Sequence, residues 1–362
     1  MLSSYCNVFF VDRFGLPIFA ERLAEHGRFR LAGITAQTDS RKCNAILDAA
    51  HVYQVSSSVN ELPVAYRVNA DLLERTPQLL MVSTIGAGHD TVDIAQCTRR
   101  GIVVVNQSGG DNAQAVVEHT LAMVLALGKR MVEVDRHTRR TPQLVRGNFV
   151  GRNFQGKTVG LVGFGNVGRS LAALCSKAFD NRVLVCSSHA DSSMIANYGA
   201  EKVSLPTLLQ TSDYVVVCCA LSPQTRGLLG AREFGLMQPH ACFVTTARAG
   251  IHDESALVAA LDSGQIAGAG IDVWDQEPPP LDHPLLKRDN VIATPHTAGA
   301  TVESRIDASE SAARQILQAL SGEHPRQLLN PEAWGTFLQR LAKAFPSGLG
   351  LAEATTDEST KL

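Results

Sequence analysis

The stretch Lys157–Ala172, KTVGLVGFGNVGRSLA, decides the fold. The short apolar run Val159–Val162 is followed by a glycine-rich turn and then by apolar residues at helical spacing, which indicates strand, turn and helix. The turn carries the pattern G-x-G-x-x-G at Gly163, Gly165 and Gly168. In dinucleotide-binding folds the first glycine permits the turn, the second lets a pyrophosphate approach the backbone, and the third lets helix and strand pack closely. The helix N-terminus then faces the phosphate charge.

Glycine-rich turns are common, so this pattern alone leaves two alternatives open. One is a purely structural turn between strand and helix. The other is a methyltransferase, whose fold uses a similar glycine turn. The position of the glycines between a predicted strand and a predicted helix favours dinucleotide binding.

Length and composition predict a protein of about two domains with large cores. The chain has 362 residues, of which 45% are hydrophobic and 19% charged, so most of it has enough apolar surface to fold. The net charge of −2 gives no reason to expect nucleic acid or an acidic membrane surface as a partner. No apolar run reaches the roughly 18 residues that a membrane span needs.

The cysteine pattern and the N-terminus predict a cytoplasmic protein. Eight cysteines occur without CxxC spacing, which favours buried, reduced thiols and gives no sign of a metal site. The N-terminus has no basic region before its apolar run, so we expect no signal peptide.

Strand and helix patterns alternate along the chain, which predicts an α/β fold with doubly wound parallel sheets. We expect a substrate domain from residues 1–106 and 298–330, a dinucleotide-binding domain from residues 107–297, and a partly disordered C-terminal extension from residues 331–362. A long helix is predicted from Asn112 to about Arg136. It suits a link between domains or a subunit contact, and an ordinary buried helix is the alternative. Candidate strands of the substrate domain are Val8–Val11, Leu79–Ser83 and Val103–Val105. Those of the cofactor domain are Val159–Val162, Arg182–Cys186, Tyr214–Cys219, Cys242–Thr245, Gly268–Asp272 and Val291–Ala293.

Three polar side chains follow strand ends on the expected cofactor side of the sheet: Arg248, Glu277 and His296. Oxidation of a secondary alcohol by hydride transfer needs a base for the hydroxyl proton, and histidine exchanges protons near neutral pH. A carboxylate on the other ring nitrogen fixes the tautomer and favours the imidazolium. A guanidinium can bind a substrate carboxylate or ketone oxygen. The alternatives are a surface arginine, a loop glutamate before the Pro278–Pro280 turn, and a structural loop histidine.

Six stretches resemble the D-isomer-specific 2-hydroxyacid dehydrogenases. They cover about residues 80–300 and are STIGAGHDTVD, GIVVVNQSGGDNAQAVVEHTLAMVLAL, GKTVGLVGFGNVGRSLA, TTARAGIHDESALVAAL, GQIAGAGIDVWDQEPPPLDHPLL and NVIATPHTAGAT.

This resemblance implies a fold, a reaction and a catalytic set. The fold would be a Rossmann cofactor domain inserted in a flavodoxin-like substrate domain, with a homodimer formed through the cofactor domain and its long helix. His296 would be the general acid/base, Glu277 its partner, and Arg248 the ligand of the substrate carboxylate and carbonyl oxygen. Hydride would pass between the nicotinamide and C2 of a 2-keto or (R)-2-hydroxy acid.

The resemblance also implies binding residues in both domains. The loop Gly86-Ala87-Gly88 would meet the substrate carboxylate through backbone N–H groups, or else be a plain turn. Thr120 would lie near the nicotinamide ribose and Asp272 would bind the nicotinamide amide. Their alternatives are a helix-packing threonine and a strand-end cap. Ala220 stands where the family often has a proline that lies along the cofactor, and the alternative is a residue that only packs against its neighbours. The full expected cofactor set is Gly163, Gly165, Asn166, Val167, Gly168, Ser187, Ser188, His189, Ala220, Thr225, Thr246, Asp272, Thr120 and Gly299.

Departures from the family pattern affect the site and the dimer. Where common members have N-T-A-R-G-G, this chain has Thr245 and Ala249 in place of the asparagine and the first of those two glycines. A threonine at position 245 can still hydrogen-bond locally, and the alanine at position 249 argues only against a positive φ there. The tryptophans usual in the dimer arm of the family are missing around Gly147–Gly151, so the arm departs from the family pattern.

The position that would bind the cofactor ribose departs most from the family pattern. An acid at the end of the second strand would bind the ribose hydroxyls of NAD, but Ser187 stands there, followed by Ser188 and His189. A serine removes the charge that repels a 2′-phosphate and supplies a hydrogen bond. The cofactor is therefore NAD or NADP, with NADP favoured, and the alternative is an NAD enzyme that uses Asp191 or tolerates the serine.

Two functions follow as hypotheses. The first is an NAD(P)-dependent reductase of small 2-keto acids such as glyoxylate and hydroxypyruvate. Phosphoglycerate is less favoured, because Arg67 is the only basic residue between Lys42 and Arg75. The second is a nicotinamide-sensing binding protein without turnover, like the corepressors that share this fold.

Overall fold

The computed structural model describes residues 5–351 except 109, 142 and 144. The chain divides into two compact units, one formed by Met1–Asn112 with Thr301–Leu362 and the other by Ala113–Ala300. These boundaries lie a few residues from those expected from the sequence. The first unit is discontinuous in sequence because the chain returns to it after the second.

In its described residues, the first unit contains a five-stranded parallel sheet with the order β2-β1-β3-β4-β5. This is the flavodoxin-like order. Its elements before the second unit are β1 Cys6–Val11, α1 Pro17–Ala24, β2 Phe29–Ile34, α2 Ser40–Asp48, β3 Val52–Val55, the 3₁₀ helix Val64–Tyr66, α3 Ala70–Arg75, β4 Met81–Thr84, α4 Ile94–Arg99 and β5 Val103–Val105.

The second unit contains, in its described residues, a seven-stranded parallel sheet with the order β12-β11-β10-β9-β6-β7-β8. Its elements are α5 Gly110–Gly128, α6 Met131–Arg140, the 3₁₀ helix Arg146–Phe149, β6 Thr158–Val162, α7 Asn166–Phe179, β7 Arg182–Cys186, α8 Ser192–Ala196, β8 Ala200–Lys202, α9 Leu205–Thr211, β9 Tyr214–Val217, α10 Ala231–Phe234, β10 Cys242–Thr245, α11 Glu254–Asp262, β11 Gly268–Ile271, the 3₁₀ helix Pro284–Lys287 and β12 Val291–Ala293. The strand order reverses at β6, between β7 and β9, and such a switch point leaves a ligand crevice at the carboxyl ends of the strands.

The long helix expected from Asn112 to about Arg136 is interrupted. Helix α5 ends at Gly128, and Arg130 adopts a left-handed conformation (φ 54°) before α6 begins. A Cβ at Gly128 would lie 2.4 Å from the Tyr214 hydroxyl, so only glycine permits this approach of helix to sheet.

Strands β2, β3 and β8 were not predicted from the sequence, because their residue patterns are not those of typical strands. Strand β2 contains Arg30 and Gly33, β3 buries Gln54 at 1% exposure, and β8 is a three-residue edge strand of sequence AEK. Their parallel pairings to neighbouring strands supply the backbone hydrogen bonds that their local sequences do not signal.

The C-terminal part of the chain differs from the predicted extension. Helix α12 (Val302–Leu320) is followed by the 3₁₀ helix Pro331–Ala333 and helix α13 (Trp334–Ala344). Phe337 is fully buried in the same core as β1, α1 and α12, and Phe345 and Leu349 join it. Residues 331–351 therefore belong to the first unit because their apolar face completes its core. The rest of the expected extension lies outside the described residues.

Each sheet is covered on both faces by helices. Val162, Val215 and Phe243 belong to one core of the second unit, and Leu161, Val216 and Val244 to the other. Strands buried on both faces read as continuous apolar runs, as β9, YVVV, does. Among the described helices, none is both long and apolar enough to cross a bilayer.

Candidate active site

The glycine turn between β6 and α7 has the geometry of a phosphate cradle. Gly163 has φ 111°, and a Cβ there would lie 2.6 Å from the Cys219 nitrogen. A Cβ at Gly168 would lie 2.7 Å from the Gly163 oxygen, so these two positions require glycine for packing. Gly165 caps α7 and a Cβ there would meet no atom within 4 Å. A side chain at Gly165 would fill the space that a pyrophosphate needs at the helix N-terminus, so the residues fit a dinucleotide. Asn166 and Val167 form the first turn of α7.

The loop after β7 presents polar groups without an acid at its first position. Ser187 Oγ accepts hydrogen bonds from the backbone N–H groups of His189 and Ala190, both at 3.3 Å, which leaves its hydroxyl hydrogen available to a ligand. Ser188 and His189 are exposed. Asp191 caps α8, its Oδ1 accepting from Met194 N at 2.7 Å and Ser193 Oγ at 2.8 Å, and these hydrogen bonds lower the pKa of that carboxyl.

The loop after β9 is closed by Thr225. Its Oγ1 donates to the Ala220 carbonyl at 2.8 Å and accepts from Ser222 N at 2.7 Å. Ala220 itself is exposed. The two expected cofactor contacts therefore belong to one compact loop beside the glycine turn.

Thr120 on α5 and Thr246, which directly follows β10, are in contact. Their hydroxyls are 2.9 Å apart and Thr120 Oγ1 also donates to the Val116 carbonyl at 2.7 Å. Thr120 is fully buried, as its helix-packing alternative requires. Thr245 does not make the local hydrogen bond that its hydroxyl would allow, because its buried Oγ1 has no partner among the described residues. Ala249 is not among the residues with positive φ, and the neighbouring Gly250 has φ 74°.

His296 and Glu277 form a pair at the carboxyl edge of the sheet. His296 Nδ1 is 2.9 Å from Glu277 Oε2, and Glu277 Oε1 accepts from Trp274 N at 3.1 Å. The hydrogen bond with Glu277 raises the pKa of His296, against the opposing effects of burial and of the Arg248 charge. Since Nδ1 is engaged, Nε2 is the nitrogen left to exchange a proton with a ligand.

Arg248 follows β10 and is half-buried, with Nη1 donating to the Ala247 carbonyl at 2.8 Å. Its positive charge opposes protonation of His296 and so acts against the rise of that pKa. The three polar residues follow β10, β11 and β12, which are neighbouring parallel strands of one sheet, and His296 and Glu277 are in contact.

Asp272 has a role that the sequence did not indicate. It is fully buried, and its carboxylate accepts from Thr294 Oγ1 at 2.5 Å, Thr297 N at 2.8 Å and Ala298 N at 3.0 Å. His296 N donates to its backbone carbonyl at 2.7 Å. Asp272 thus holds the loop of His296, which also contains Gly299. No local pattern could have signalled this, because the partners lie more than 20 residues away.

In the first unit, the Gly86-Ala87-Gly88 loop follows β4. Thr84 Oγ1 donates to the Gly86 carbonyl at 2.6 Å and Asn106 Nδ2 donates to the Ala87 carbonyl at 2.7 Å. The carbonyls of Gly86 and Ala87 are therefore occupied, while the N–H groups of the loop make no hydrogen bond with the described residues. Free N–H groups of this kind can receive a carboxylate.

Two further residues near the site were missed by the sequence analysis. Lys202, at the end of β8, donates from Nζ to the Ala190 carbonyl at 2.6 Å and so lies beneath the loop after β7. His119 on α5 has Nε2 3.1 Å from Thr294 Oγ1. Within the described part of the chain, no group of three or more His, Cys, Asp or Glu residues is placed to hold a metal ion.

A glycine cradle at the switch point, with a His–Glu pair on the same sheet edge, is the arrangement expected of a nicotinamide-dependent dehydrogenase. A family model described as the NAD-binding domain of D-isomer specific 2-hydroxyacid dehydrogenases matches residues 121–298. Glyoxylate/hydroxypyruvate reductase B of Salmonella gallinarum is 34% identical over 289 residues, which are 79% of this chain and 89% of that protein. The chain belongs to the D-isomer specific 2-hydroxyacid dehydrogenase family, whose members are NAD(P)-dependent oxidoreductases.

Other similarities agree with this family. D-3-phosphoglycerate dehydrogenase of Archaeoglobus fulgidus is 36% identical over 264 residues, which are 73% of this chain, so the chain spans half of that relative's length (50%). The TT0316 protein of Thermus thermophilus is 28% identical with a TM-score of 0.77, over 89% of this chain and 99% of that one. An NADPH-dependent glyoxylate/hydroxypyruvate reductase of Sinorhizobium meliloti shares the fold, at 24% identity and a TM-score of 0.75 over 91% of this chain and 98% of that one.

Proposed function

We propose that this chain reduces small 2-keto acids of the glyoxylate and hydroxypyruvate kind to (R)-2-hydroxy acids. The observation that carries the proposal is the 2.9 Å pair of His296 and Glu277 at the carboxyl edge of the cofactor sheet. The similarity to glyoxylate/hydroxypyruvate reductase B supports this choice of substrates.

Each polar residue has a distinct part in this reaction. A bound nicotinamide cofactor would supply the hydride for C2 of the keto acid. His296 donates the proton of Nε2 to the carbonyl oxygen, and Glu277 holds the ring and favours its charged form. Arg248 binds the carboxylate through its guanidinium, and the free N–H groups of Gly86-Ala87-Gly88 offer a second carboxylate site.

The test is a panel of 2-keto acids assayed with both reduced cofactors. His296→Ala should lower kcat on the best substrate by about 10²- to 10⁴-fold, the usual contribution of a general acid, with cofactor binding retained. His240→Ala is the matched control, because His240 pairs with Asp213 just before β9 at the opposite end of the sheet. If activity on every 2-keto acid survives the loss of His296, the mechanism is wrong.

We propose NADP as the preferred cofactor. Ser187 offers a hydroxyl where an acid would repel the 2′-phosphate, and the nearby Asp191 is engaged as the cap of α8. Lys202 adds a positive charge beneath the same loop. A phosphate beside these groups gains hydrogen bonds and charge attraction that a free ribose hydroxyl does not.

Lys202→Met tests the cofactor preference. We expect kcat/KM for NADPH to fall at least fivefold while that for NADH changes less than twofold, because only NADPH carries the 2′-phosphate. Lys177→Met on α7 is the control for removing a lysine. A tenfold preference of the unaltered protein for NADH would refute the assignment.

Phosphoglycerate dehydrogenation belongs in the same panel, because the Archaeoglobus fulgidus relative carries that name. We rank phosphoglycerate below the smaller acids, because Arg67 is the one Lys or Arg between Lys42 and Arg75 and already donates from Nη2 to the Val59 carbonyl at 3.0 Å. The matched relatives named above give no support to a sensing protein without turnover. Cofactor binding without turnover of any acid in the panel would favour such a sensing protein.

We propose that the second unit forms a homodimer through α6 and the segment that follows it. Met131, Val145 and Val150 are exposed at 60%, 64% and 74%. Val150 lines a cavity of about 600 Å³ at the amino ends of the strands, and Met131 lies in the chain between the lining residues Arg130 and Val132. Apolar side chains exposed around a concave surface are typical of a protein interface, and a second copy of this chain would cover them.

A further inference from the structure

The catalytic pair is assembled from two separate loops. Glu277 lies on the segment that follows β11, and His296 lies on the segment that follows β12. Their 2.9 Å contact therefore depends on how these two segments are held against each other. Covalent geometry alone does not set that spacing, because 19 residues separate the two side chains.

Trp274 makes a hydrogen bond to each of these loops. Its backbone N–H donates to Glu277 Oε1 at 3.1 Å, and its indole Nε1–H donates to the Thr294 carbonyl at 2.9 Å. Trp274 thus contacts the carboxylate of Glu277 directly. It also contacts the loop of His296 at Thr294, two residues before the histidine.

The indole ring has little freedom to move. Trp274 is 2% exposed and belongs to the core of the second unit. Its ring packs edge-on against His283, with centroids 5.3 Å apart at 80°. His283 is itself held by Glu254, with Nε2 3.1 Å from Oε2, and the other oxygen of Glu254 accepts from Asp275 N at 2.8 Å.

We propose that Trp274 is a positioning residue that sets the separation of Glu277 and His296 through its indole N–H. This role rests on the proposed functions of Glu277 and His296. Phenylalanine would fill most of the same space in the core, but it has no donor to replace the indole N–H. Loss of that donor leaves the Thr294 carbonyl without this partner and lets the histidine loop shift.

Trp274→Phe tests the proposal because it removes the N–H while keeping an aromatic ring. We expect kcat for keto-acid reduction to fall about three- to tenfold with KM nearly unchanged, as for an interaction that matters most in the transition state. The basic limb of the pH profile should move to lower pH, because a weakened Glu277 contact no longer holds the proton on His296. Arg248 and Asp272 also act on His296, and the substitution leaves both in place.

The control is Trp334→Phe, the same substitution at the chain's other tryptophan. Trp334 stacks on Phe337 in the first unit, with centroids 5.0 Å apart, and its loss should leave the pH profile unchanged. If Trp274→Phe does not fold, benzothienylalanine at position 274 keeps the size of the indole and replaces N–H by sulfur.

The pKa of His296 measured by NMR separates this proposal from the proposed function. A drop in that pKa in either variant at position 274 supports the positioning role, even if no 2-keto acid is turned over and the proposed function fails. An unchanged pKa and an unchanged pH profile would overturn the positioning role and leave the proposed function standing, whatever the melting temperature does.

Discussion

At the scale of single residues, Glu277 controls the protonation of His296. Its hydrogen bond raises the pKa of His296, so the protonated acid persists to higher pH than in a free histidine. Keto-acid reduction consumes that proton. Its kcat/KM should therefore be constant at low pH and fall as pH rises through the raised pKa, and hydroxy-acid oxidation should show the opposite dependence.

Glu277→Gln removes the charge and should move the fall in reduction to lower pH. The measurement is kcat/KM against pH for both proteins, with Glu25→Gln on the surface of the first unit as control. If kcat/KM of Glu277→Gln falls at the same pH as that of the unaltered protein, the titrating group is not His296 paired with Glu277.

His252 is a second titrating residue, and it acts on stability. It is 2% exposed, neither ring nitrogen has a partner among the described residues, and burial lowers its pKa to about 4 from 6.5. Between these values the unfolded chain binds more protons, so stability falls as pH drops. The loss approaches roughly 3 kcal/mol below pH 4, since each pKa unit corresponds to about 1.4 kcal/mol.

His252→Leu should remove that contribution to acid sensitivity. Chemical denaturation at pH 7 and pH 4.5 should show a smaller difference in the free energy of unfolding for the variant than for the unaltered protein. His26→Leu, in the turn after α1, controls for the substitution. Equal pH dependence in all three proteins would mean that His252 is hydrated or hydrogen-bonded in solution.

At the scale of elements, helix α13 decides where the first unit ends. Phe337 is fully buried, while Leu338 on the same helix is 36% exposed. Phe337→Ala should destabilise the first unit by about 3–5 kcal/mol, as for a large aromatic side chain removed from a core, and Leu338→Ala should cost under about 1 kcal/mol.

Hydrogen exchange of residues 334–344 measures this directly. Loss of amide protection in Phe337→Ala, together with retained protection in Leu338→Ala, is the expected result. If both variants keep the protection of the parent protein, α13 is not part of the cooperative core.

At the scale of the whole molecule, we expect self-association through the exposed apolar side chains after α5. Val150→Asp places a charge on a surface that a second copy would bury, which is costly without a partner charge. Light scattering should then report the 38.8 kDa chain mass where the unaltered protein gives twice that value.

Val64→Asp is the matched control, because Val64 is 66% exposed in the first unit and should leave the dimer intact. A monomeric parent protein, or a dimer that survives Val150→Asp, would place the contact elsewhere or exclude it.

How much could be read from the sequence depended on the range of the interactions. The turn at Gly163–Gly168 and the strands flanking it were predictable, because their patterns are local. The sequence also predicted that Arg248, Glu277 and His296 follow strand ends, and parallel strands bring such ends to one edge. Strands β2, β3 and β8 were not predictable, since their pairing partners rather than their own residues make them strands.

By itself the sequence determined the α/β class, the glycine cradle and the three polar residues at strand ends. Only the tertiary structure decided that Asp272 and Trp274 hold the loop of His296, that Lys202 reaches the loop of Ser187, and that α13 completes the first core. The physical reason is that hydrogen bonds and packing between distant segments depend on where the strands place them, whereas the glycine turn depends on the backbone freedom of its own residues.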